Sequence, residues 1–340
     1  MRIDVGVVDA IALLRDLIST PSFSRQEDAT AALLEHWLQK QALEVRRSRN
    51  NVWCLPRHYE EGKPTVLLCS HHDTVRPVAT WKRDPFEAVR EAGRIYGLGS
   101  NDAGGAVAAM CAVFASLQAS SGLPFNLVLA ITAEEEVAGE AGIASICDSL
   151  PRVSLAIVGE PTGMELAVAE KGLMVLDGSA RGEAGHAARD TGVNAISVAM
   201  RDVQWFESYR FEKESTTLGP VRMSVTQIQS GTQHNVIPDR CDYVVDIRMT
   251  DAYTHEEILE IVRSHVSAEV RPRSMRLRPS AIAPDHAIVR AARDLGIACF
   301  ASPSVPVAPS ARTRRTSILR NRNCRTACRS TAHFLNGMRS

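Results

Sequence analysis

Residues 65–73 read TVLLCSHHD, a run of apolar residues that ends in two histidines and an aspartate. The same design recurs twice, in NLVLAITAEEE at residues 126–136 and in LAIVGE at residues 155–160. Short apolar runs bounded by polar clusters are typical of strands buried on both faces, as in parallel sheets. Because ligands bind at the carboxyl ends of parallel strands, the His, Asp and Glu side chains that follow these runs are candidate site residues.

Helical patterns surround these strands and define a first domain. Residues 7–19 and 26–41 carry apolar residues at about every third or fourth position, and residues 103–118 are small and apolar throughout. Alternating strands and helices predict an α/β catalytic domain with a mainly parallel sheet.

From residue 164 the pattern changes to half-buried strands alternating with amphipathic helices. The predicted strands are 174–179, 224–229 and 241–248, and the predicted helices are 195–209 and 255–266. We therefore predict a catalytic domain over residues 1–163 and an inserted α+β domain over 164–278. The chain returns to the catalytic domain over 279–303, and residues 304–340 form a tail.

Composition excludes several classes of partner. The 340 residues carry a formal net charge of +0, which gives no reason to expect nucleic acid or an anionic membrane as a partner. No stretch reaches the roughly 18 apolar residues that span a bilayer, and the first twenty residues lack the pattern of an export signal. The eight cysteines are scattered without a CxxC pair, which favours reduced thiols and a cytoplasmic location.

The polar clusters each allow two interpretations. His71 and Asp73 match a metal-bound imidazole oriented by a carboxylate, but an isolated surface histidine has the same pattern. We prefer His71 over His72 as a ligand, because adjacent side chains of an extended chain point to opposite faces. Asp102 is either a helix cap or a carboxylate that bridges two metal ions. Acidic residues 134–136 and 160 are either solvated or neutralised by cations.

The order of these motifs resembles that of the M20 metallopeptidase and deacylase family. The pattern is H-x-D, then D-x-G-G, then E-E, then G-E-P, and the match extends over about residues 66–250. Within the family, the segments are most similar to deacetylases of acetylornithine and succinylornithine. They are SHHDTVRP, DPF, YGLGSNDAGG, AEEEVAG, IVGEPT, AEKGLMVLDG and GHAARDTGVNAI.

The resemblance implies a centre with two zinc ions, which cobalt can replace. It makes His71 and Glu160 ligands of one ion, Asp102 the bridging ligand and Glu136 a terminal ligand of the other. Asp73 becomes the residue that orients His71. The N and O donors of these side chains suit zinc.

The resemblance also assigns the chemistry. Zinc would acidify the attacking water, and Glu135 would take its proton and pass it to the leaving amine. His186 would stabilise the oxyanion, often in the partner subunit of a homodimer, and Asn235 would contact the substrate. The implied reaction removes the acyl group from a small amino acid, with acetylornithine the first candidate and arginine biosynthesis the implied pathway.

The C-terminal tail departs from the family pattern. The family has a further histidine ligand in a segment like S-H-T-x-D-E, and none follows Asp294 here, where eight arginines occur without Asp, Glu or Lys. A basic disordered arm is one interpretation. A frameshift is the other: codons for residues 311–318, read from the third base of the first codon, can encode SHTPDEYI. The break would lie between residues 302 and 311.

Three functions remain open on the sequence. The first is an acyl-amino-acid hydrolase, with succinylornithine, acetylcitrulline or a dipeptide as alternative substrates. The second is a metal-poor inactive homologue that lacks the C-terminal histidine. The third, a nucleic-acid binder with a basic tail, is disfavoured because the arginines lack interleaved aromatic residues.

Overall fold

The structure, a computed structural model, describes residues 7–118, 122–189, 191–302 and 318–320. Contacts divide these residues into two units. The first unit contains residues 7–165, 290–297 and 318–320, and the second contains residues 166–289 and 298–302. Among the described residues, none of the helices has both the length and the apolar character needed to cross a bilayer.

The first unit begins with two helices and is organised around a five-stranded sheet. Its helices are α1 Val7–Ser19, α2 Asp28–Lys40 and α3 Gly104–Gln118. Its strands are β1 Val45–Ser48, β2 Asn51–Cys54, β3 Thr65–His71, β4 Val89–Glu91, β5 Arg94–Tyr96, β6 Asn126–Thr132 and β7 Leu155–Val158.

The sheet has the order β1-β2-β6-β3-β7, and its last three strands are parallel. His71 pairs with Thr132, and Cys69 pairs with Val158, so the carboxyl ends of the three parallel strands lie at one edge. The hairpin of β1 and β2 adds to the sheet antiparallel to β6. The predicted α/β class with a mainly parallel core is confirmed, and the turns after these strands meet at the same edge.

Helix α3 packs against β3, β6 and α1, and ten of its residues are buried. Its first turn requires glycine, because a Cβ on Gly104 would lie 2.7 Å from the carbonyl oxygen of Gly99. The Gly104 N–H donates to that oxygen at 2.9 Å. This close turn places Asp102 directly before the helix.

The second unit contains most of the remaining elements. They are β8 Leu166–Glu170, β9 Gly172–Arg181, β10 Gly185–His186, α4 Ala195–Ser208, β11 Arg222–Ser230, β12 Val236–Ile237, β13 Arg240–Met249, α5 His255–His265, β14 Glu269–Pro272, β15 Ser280–Ala281 and β16 Cys299–Ser302. Helix α6, Ala287–Asp294, crosses the division between the units. Strand β17, Ile318–Arg320, pairs with β5 of the first unit.

An antiparallel sheet of order β11-β13-β9-β14 carries α4 and α5 on its apolar face. Side chains of β13 alternate between buried and half-buried, as expected for a sheet covered on one side. Burial of an aromatic side chain such as Phe206 of α4 contributes about 2 kcal/mol.

One buried carboxylate, that of Asp202, links three segments of this unit. Asp202 of α4 accepts hydrogen bonds from the Tyr243 hydroxyl at 3.1 Å and from the backbone N–H groups of Ser267 and Ala268 at 2.9 and 3.0 Å. Burial, and then the nearby Asp202, raise the pKa of Tyr243, which keeps its hydroxyl protonated as a donor. Asp202 thus joins α4 to the central strand and to the segment before β14.

Replacement of this carboxylate is expected to destabilise the protein. Asp202→Ala leaves the Tyr243 hydroxyl and two backbone donors without their acceptor, and we expect the free energy of unfolding to fall by about 3 kcal/mol. Tyr243→Phe removes only one of the three bonds and should cost about 1 kcal/mol. Urea denaturation followed by circular dichroism measures both changes. Equal midpoints for Asp202→Ala and the unmodified chain would contradict this account.

Two parts of the chain differ from the sequence predictions. The predicted return to the catalytic domain at residue 279 is not observed for β15 and β16, because both strands pair with β8 of the second unit. Only residues 290–297 of that segment group with the first unit. Residues 318–320 form a strand within the predicted non-periodic tail, and the rest of residues 304–340 lies outside the described residues.

Candidate metal centre

His71 lies at the carboxyl end of β3 and is surrounded by carboxylates of three other segments. Its Nε2 atom is 3.2 Å from Asp102 Oδ1, 3.7 Å from Glu160 Oε1 and 3.8 Å from Glu135 Oε2. Donor atoms of His71, Asp102 and Glu136 all lie within 4.8 Å of one another. Four residues predicted as ligands and one predicted as a base therefore meet at one edge of the sheet.

Asp73 lies behind His71 and orients it. His71 Nδ1 is 3.1 Å from the Asp73 carbonyl oxygen and 3.4 Å from its Oδ1 atom. Ser24 donates to Asp73 Oδ2 at 2.8 Å. Burial alone would raise the pKa of Asp73, but these hydrogen bonds outweigh burial and hold the pKa below its usual value.

Asp73 also holds the turn that follows β6 and carries Glu134, Glu135 and Glu136, which we call the acidic turn. Its Oδ1 accepts from the backbone N–H of Glu135 at 3.0 Å, and its Oδ2 accepts from that of Glu136 at 3.1 Å. The preceding Glu134 has a φ of 57°, in the left-handed region. One carboxylate thus sets both the orientation of the imidazole and the path of the acidic turn.

The electrostatics of the cluster favour a cation. Burial raises the pKa of Glu135 to about 8, with further increases from Glu160 and Glu136, and a decrease from His71. Burial, and then Asp102, raise the pKa of Glu136 to about 7. Burial would lower the pKa of His71, yet hydrogen bonds with the surrounding carboxylates raise it well above its usual value. The mutual repulsion of these acids is relieved by positive charge among them.

Glu160, two residues beyond β7, has a carboxylate oxygen that could bind a metal ion. Its Oε2 is buried and has no hydrogen-bond partner among the described residues. A buried carboxylate oxygen without a partner is costly unless a cation or another donor reaches it.

Comparison with known proteins agrees with this geometry. Residues 67–317 match the model of peptidase family M20/M25/M40. The chain belongs to this family. It is accordingly a hydrolase of amide bonds, and the predicted family membership is confirmed.

Curated relatives of this M20-family chain include enzymes with different names. A succinyl-diaminopimelate desuccinylase of Dinoroseobacter shibae is 30% identical over 280 residues, which cover 78% of this chain and 74% of that protein. A probable carboxypeptidase of Emericella nidulans is 29% identical over 297 residues, with coverages of 77% and 68%. The predicted preference for acetylornithine does not follow from these relatives and stays a prediction.

Solved structures show the same fold. A tripeptidase of Staphylococcus aureus superposes with a TM-score of 0.77 at 16% identity, covering 99% of this chain and 100% of that one. The YXEP protein of Bacillus subtilis, described as a dinuclear metal-binding peptidase of the M20 family, superposes with a TM-score of 0.68 at 15% identity, covering 97% of each chain.

The residues of this M20-family protein fit divalent metal ions. The donor set is one imidazole nitrogen and several carboxylate oxygens, which suits zinc and related ions. The buried Glu160 oxygen without a partner and the mutually repelling acids both favour an ion at this place. The group His71, Asp102 and Glu136 includes residues that the family resemblance assigns to two different ions, and this assignment stays a prediction.

His72 contacts a different set of groups from His71, as expected for adjacent residues of an extended chain. His72 Nδ1 is 2.9 Å from Thr30 Oγ1, and its Nε2 is 2.9 Å from the Asn50 carbonyl oxygen. Burial lowers the pKa of His72, so the ring is neutral near pH 7. It therefore lies among polar groups of α2 and the β1–β2 turn, away from the group of donor atoms around His71.

His186 and Asn235 lie on neighbouring segments of the second unit. His186 lies on β10, which pairs with β12, and the Asn235 carbonyl oxygen accepts from the Ala187 N–H at 3.0 Å. His186 is exposed, and its Nδ1 accepts from the Ala188 N–H at 3.1 Å. In the neutral ring this leaves Nε2 as a hydrogen-bond donor. Their roles toward a substrate remain predictions.

Sequence reasoning missed the polar residues that support the acidic turn. They are Ser24, Glu27, Thr30, Asn50 and Asn51. Glu27 precedes α2 and has the sequence signature of an ordinary helix start, and the paired asparagines resemble a hairpin turn. Only the signal of two adjacent asparagines between short strands could have marked the turn as ordered.

Proposed function

We propose that this chain hydrolyses the amide bond of an N-acylated small amino acid at a centre of two divalent metal ions, with zinc the first candidate. The observation that carries the proposal is the position of His71 Nε2, within 3.8 Å of carboxylate oxygens from Asp102, Glu135 and Glu160. His71, Asp102, Glu136 and Glu160 would hold the ions. Bound divalent cations polarise a carbonyl group and acidify water.

Glu135 is proposed as the general base. Its backbone N–H is bound by Asp73, and its carboxylate faces the His71 side of the cluster at 3.8 Å. In this position it can take the proton of the attacking water and later deliver it to the leaving amine. Glu134 lies in the same run, but its Oε2 is directed to Arg25 Nε at 4.0 Å.

His186 is proposed to stabilise the oxyanion that develops on the amide carbonyl. Because its Nδ1 accepts from the Ala188 N–H, its Nε2–H is available to donate. Asn235, next to it, is proposed to contact the substrate.

The proposed substrate is N-acetylornithine, which would yield ornithine and acetate in arginine biosynthesis. This choice is supported by the motif segments around residues 70–77, 96–105 and 185–196. A succinylated diamino acid is the second candidate, because the relative from Dinoroseobacter shibae is named a succinyl-diaminopimelate desuccinylase.

A substrate panel tests both choices. The purified protein, with its tail restored to the other reading frame and loaded with zinc or cobalt, is assayed with N-acetylornithine, N-succinylornithine, N-acetylcitrulline, N-succinyl-diaminopimelate and an unmodified dipeptide. We expect the highest kcat/KM for N-acetylornithine and none for a His71→Ala control. A higher kcat/KM for a succinylated substrate would replace the acetyl assignment. Hydrolysis of no acylated substrate by a metal-loaded, tail-restored protein would refute the proposal.

A homodimer through the second unit is also proposed. Helix α4 exposes Ile196 and Met200, one helical turn apart, with exposed fractions of 38% and 54%. Light scattering at micromolar concentration should give about twice the chain mass of 37.1 kDa. Met200→Glu should weaken the dimer by more than about tenfold, since it buries a charge, whereas Met200→Leu should not. A monomeric unmodified chain would contradict this prediction.

A further inference from the structure

A second buried carboxylate lies behind the acidic turn. Glu27 has no exposed surface, and its two oxygens accept hydrogen bonds from separate segments. Oε1 accepts from the backbone N–H of Arg25 at 2.6 Å and of Glu134 at 3.3 Å, and Oε2 accepts from Asn50 Nδ2 at 2.9 Å. Although Glu27 occupies the N-cap position of α2, its side chain makes no capping bond to that helix. Its carboxylate therefore serves the acidic turn rather than the helix.

Glu27 and Asp73 together bind three consecutive N–H groups of the acidic run. Glu27 holds the N–H of Glu134, and Asp73 holds those of Glu135 and Glu136. The turn needs this support because Glu134 and Ala138 both have left-handed backbone conformations, with φ of 57° and 47°. These two carboxylates therefore hold the backbone of residues 134–136.

The β1–β2 turn fixes Glu27 and the flanks of the acidic turn. The carbonyl of Asn50 can only accept, so His72 Nε2 donates to it, and the Asn50 side chain in turn donates to Glu27. Asn51 Oδ1 accepts from the Ala133 N–H at 3.0 Å, and Asn51 Nδ2 donates to the Ala141 carbonyl at 2.6 Å. The acidic turn is thus bound at its start, its end and its first glutamate.

This support determines which glutamates face His71. The Glu134 side chain packs over Gly139, where any Cβ would collide with its carboxylate, and extends toward Arg25. Glu135 and Glu136 are left to face the cluster of His71 and Asp102. A shift of the Glu134 backbone would move both side chains together.

We propose that Glu27 is a positioning residue of the metal centre, which holds the Glu134 backbone so that Glu135 and Glu136 reach the ions and the attacking water. Asn50 and His72 fix the Glu27 carboxylate in this position. The functional consequence rests on the proposed function, while the holding of the turn does not. Removal of polar groups that orient metal ligands typically costs about 10- to 100-fold in metal affinity or activity.

The test compares Glu27→Gln with Glu35→Gln. The first substitution keeps the size of the side chain but leaves a single oxygen and an amide N–H₂ where two acceptors are needed. Glu35 also lies on α2 and pairs with Arg47 at 3.3 Å, with no bond to the acidic turn among the described residues, and so provides a matched control. Hydrogen exchange of the peptide that covers residues 132–138 is measured in metal-free protein. Zinc and cobalt affinities are measured by titration.

We expect Glu27→Gln to exchange about tenfold faster at residues 134–136 and to bind metal about 10- to 100-fold more weakly, with Glu35→Gln unchanged in both. The double variant Glu27→Gln with Asn50→Asp should recover part of both losses, because the carboxylate introduced at position 50 can accept from the amide introduced at position 27. A merely structural role would lower thermal stability without this rescue.

Unchanged exchange and unchanged metal affinity in Glu27→Gln would overturn the inference. So would a uniform rise of exchange across the first unit without rescue by Asn50→Asp. If neither the unmodified chain nor the tail-restored protein binds metal, the proposed function fails, yet the exchange comparison still tests whether Glu27 holds the turn.

Discussion

Glu135→Gln is expected to retain bound metal and to lose about 10²- to 10⁴-fold in turnover, the usual contribution of a general base. The amide is as large as the carboxylate but cannot accept the proton of the attacking water. The bond from the residue 135 N–H to Asp73 is a backbone contact and survives the change. The proposed ligands His71, Asp102 and Glu136 are unaltered, so metal content should stay the same.

Glu134→Gln provides the matched control for this prediction. It makes the same chemical change one residue earlier, on a side chain that is directed to Arg25. We expect its turnover to lie within a few-fold of the unmodified protein. Both variants are assayed with N-acetylornithine in a tail-restored protein, and metal is measured by mass spectrometry. If Glu135→Gln kept full turnover and Glu134→Gln lost it, Glu134 would be the base.

Restoration of the reading frame near residues 303–311 is expected to raise turnover by at least about 100-fold. The tail of this chain lacks the histidine of the S-H-T-x-D-E segment, which would leave one of the two proposed ions held by carboxylates alone. Loss of a ligand weakens metal binding and changes the geometry that controls the acidity of bound water. The last strands and helix of the family's catalytic domain would also be replaced by an arginine-rich segment, leaving apolar surface uncovered.

The comparison uses the unmodified chain and the restored chain side by side, with zinc or cobalt added. Metal content and N-acetylornithine hydrolysis are both measured, and the nucleotide sequence around codons 300–315 is determined. His333 is the one histidine of the altered region and has no D-E after it, so His333→Ala in the unmodified chain should change neither turnover nor metal content. Equal turnover and metal content in both chains, with a loss on His333→Ala, would show that the tail of the unmodified chain supplies the ligand.

The strand ends that carry the site could be predicted from local sequence. Apolar runs end where polar clusters begin, and this property of neighbouring residues located the ends of β3, β6 and β7 within two residues. The parallel arrangement then required that His71, Glu136 and Glu160 meet at one edge. The preference for His71 over His72 followed from the alternation of side chains along an extended strand.

Tertiary structure decided the features that depend on residues far apart in the chain. Glu27 and Glu134 are 107 residues apart, and Asn51 and Ala141 are 90 apart, so no local pattern marks their bonds. The pairing of β15 and β16 with β8, which differs from the predicted domain return, is also a contact between distant segments.

Local sequence was enough to predict the α/β class and the polar residues at the strand ends, because hydrophobic periodicity is a property of neighbouring residues. The family followed from the resemblance of its ordered motifs. The tertiary structure decided in which direction the side chains of Glu135 and Glu136 point. Burial of Glu27 and Asp73 stabilises the protein only when their oxygens find N–H groups, and those groups come from a turn folded elsewhere in the chain. The direction of Glu135 and Glu136 therefore follows from packing and not from their place in the sequence.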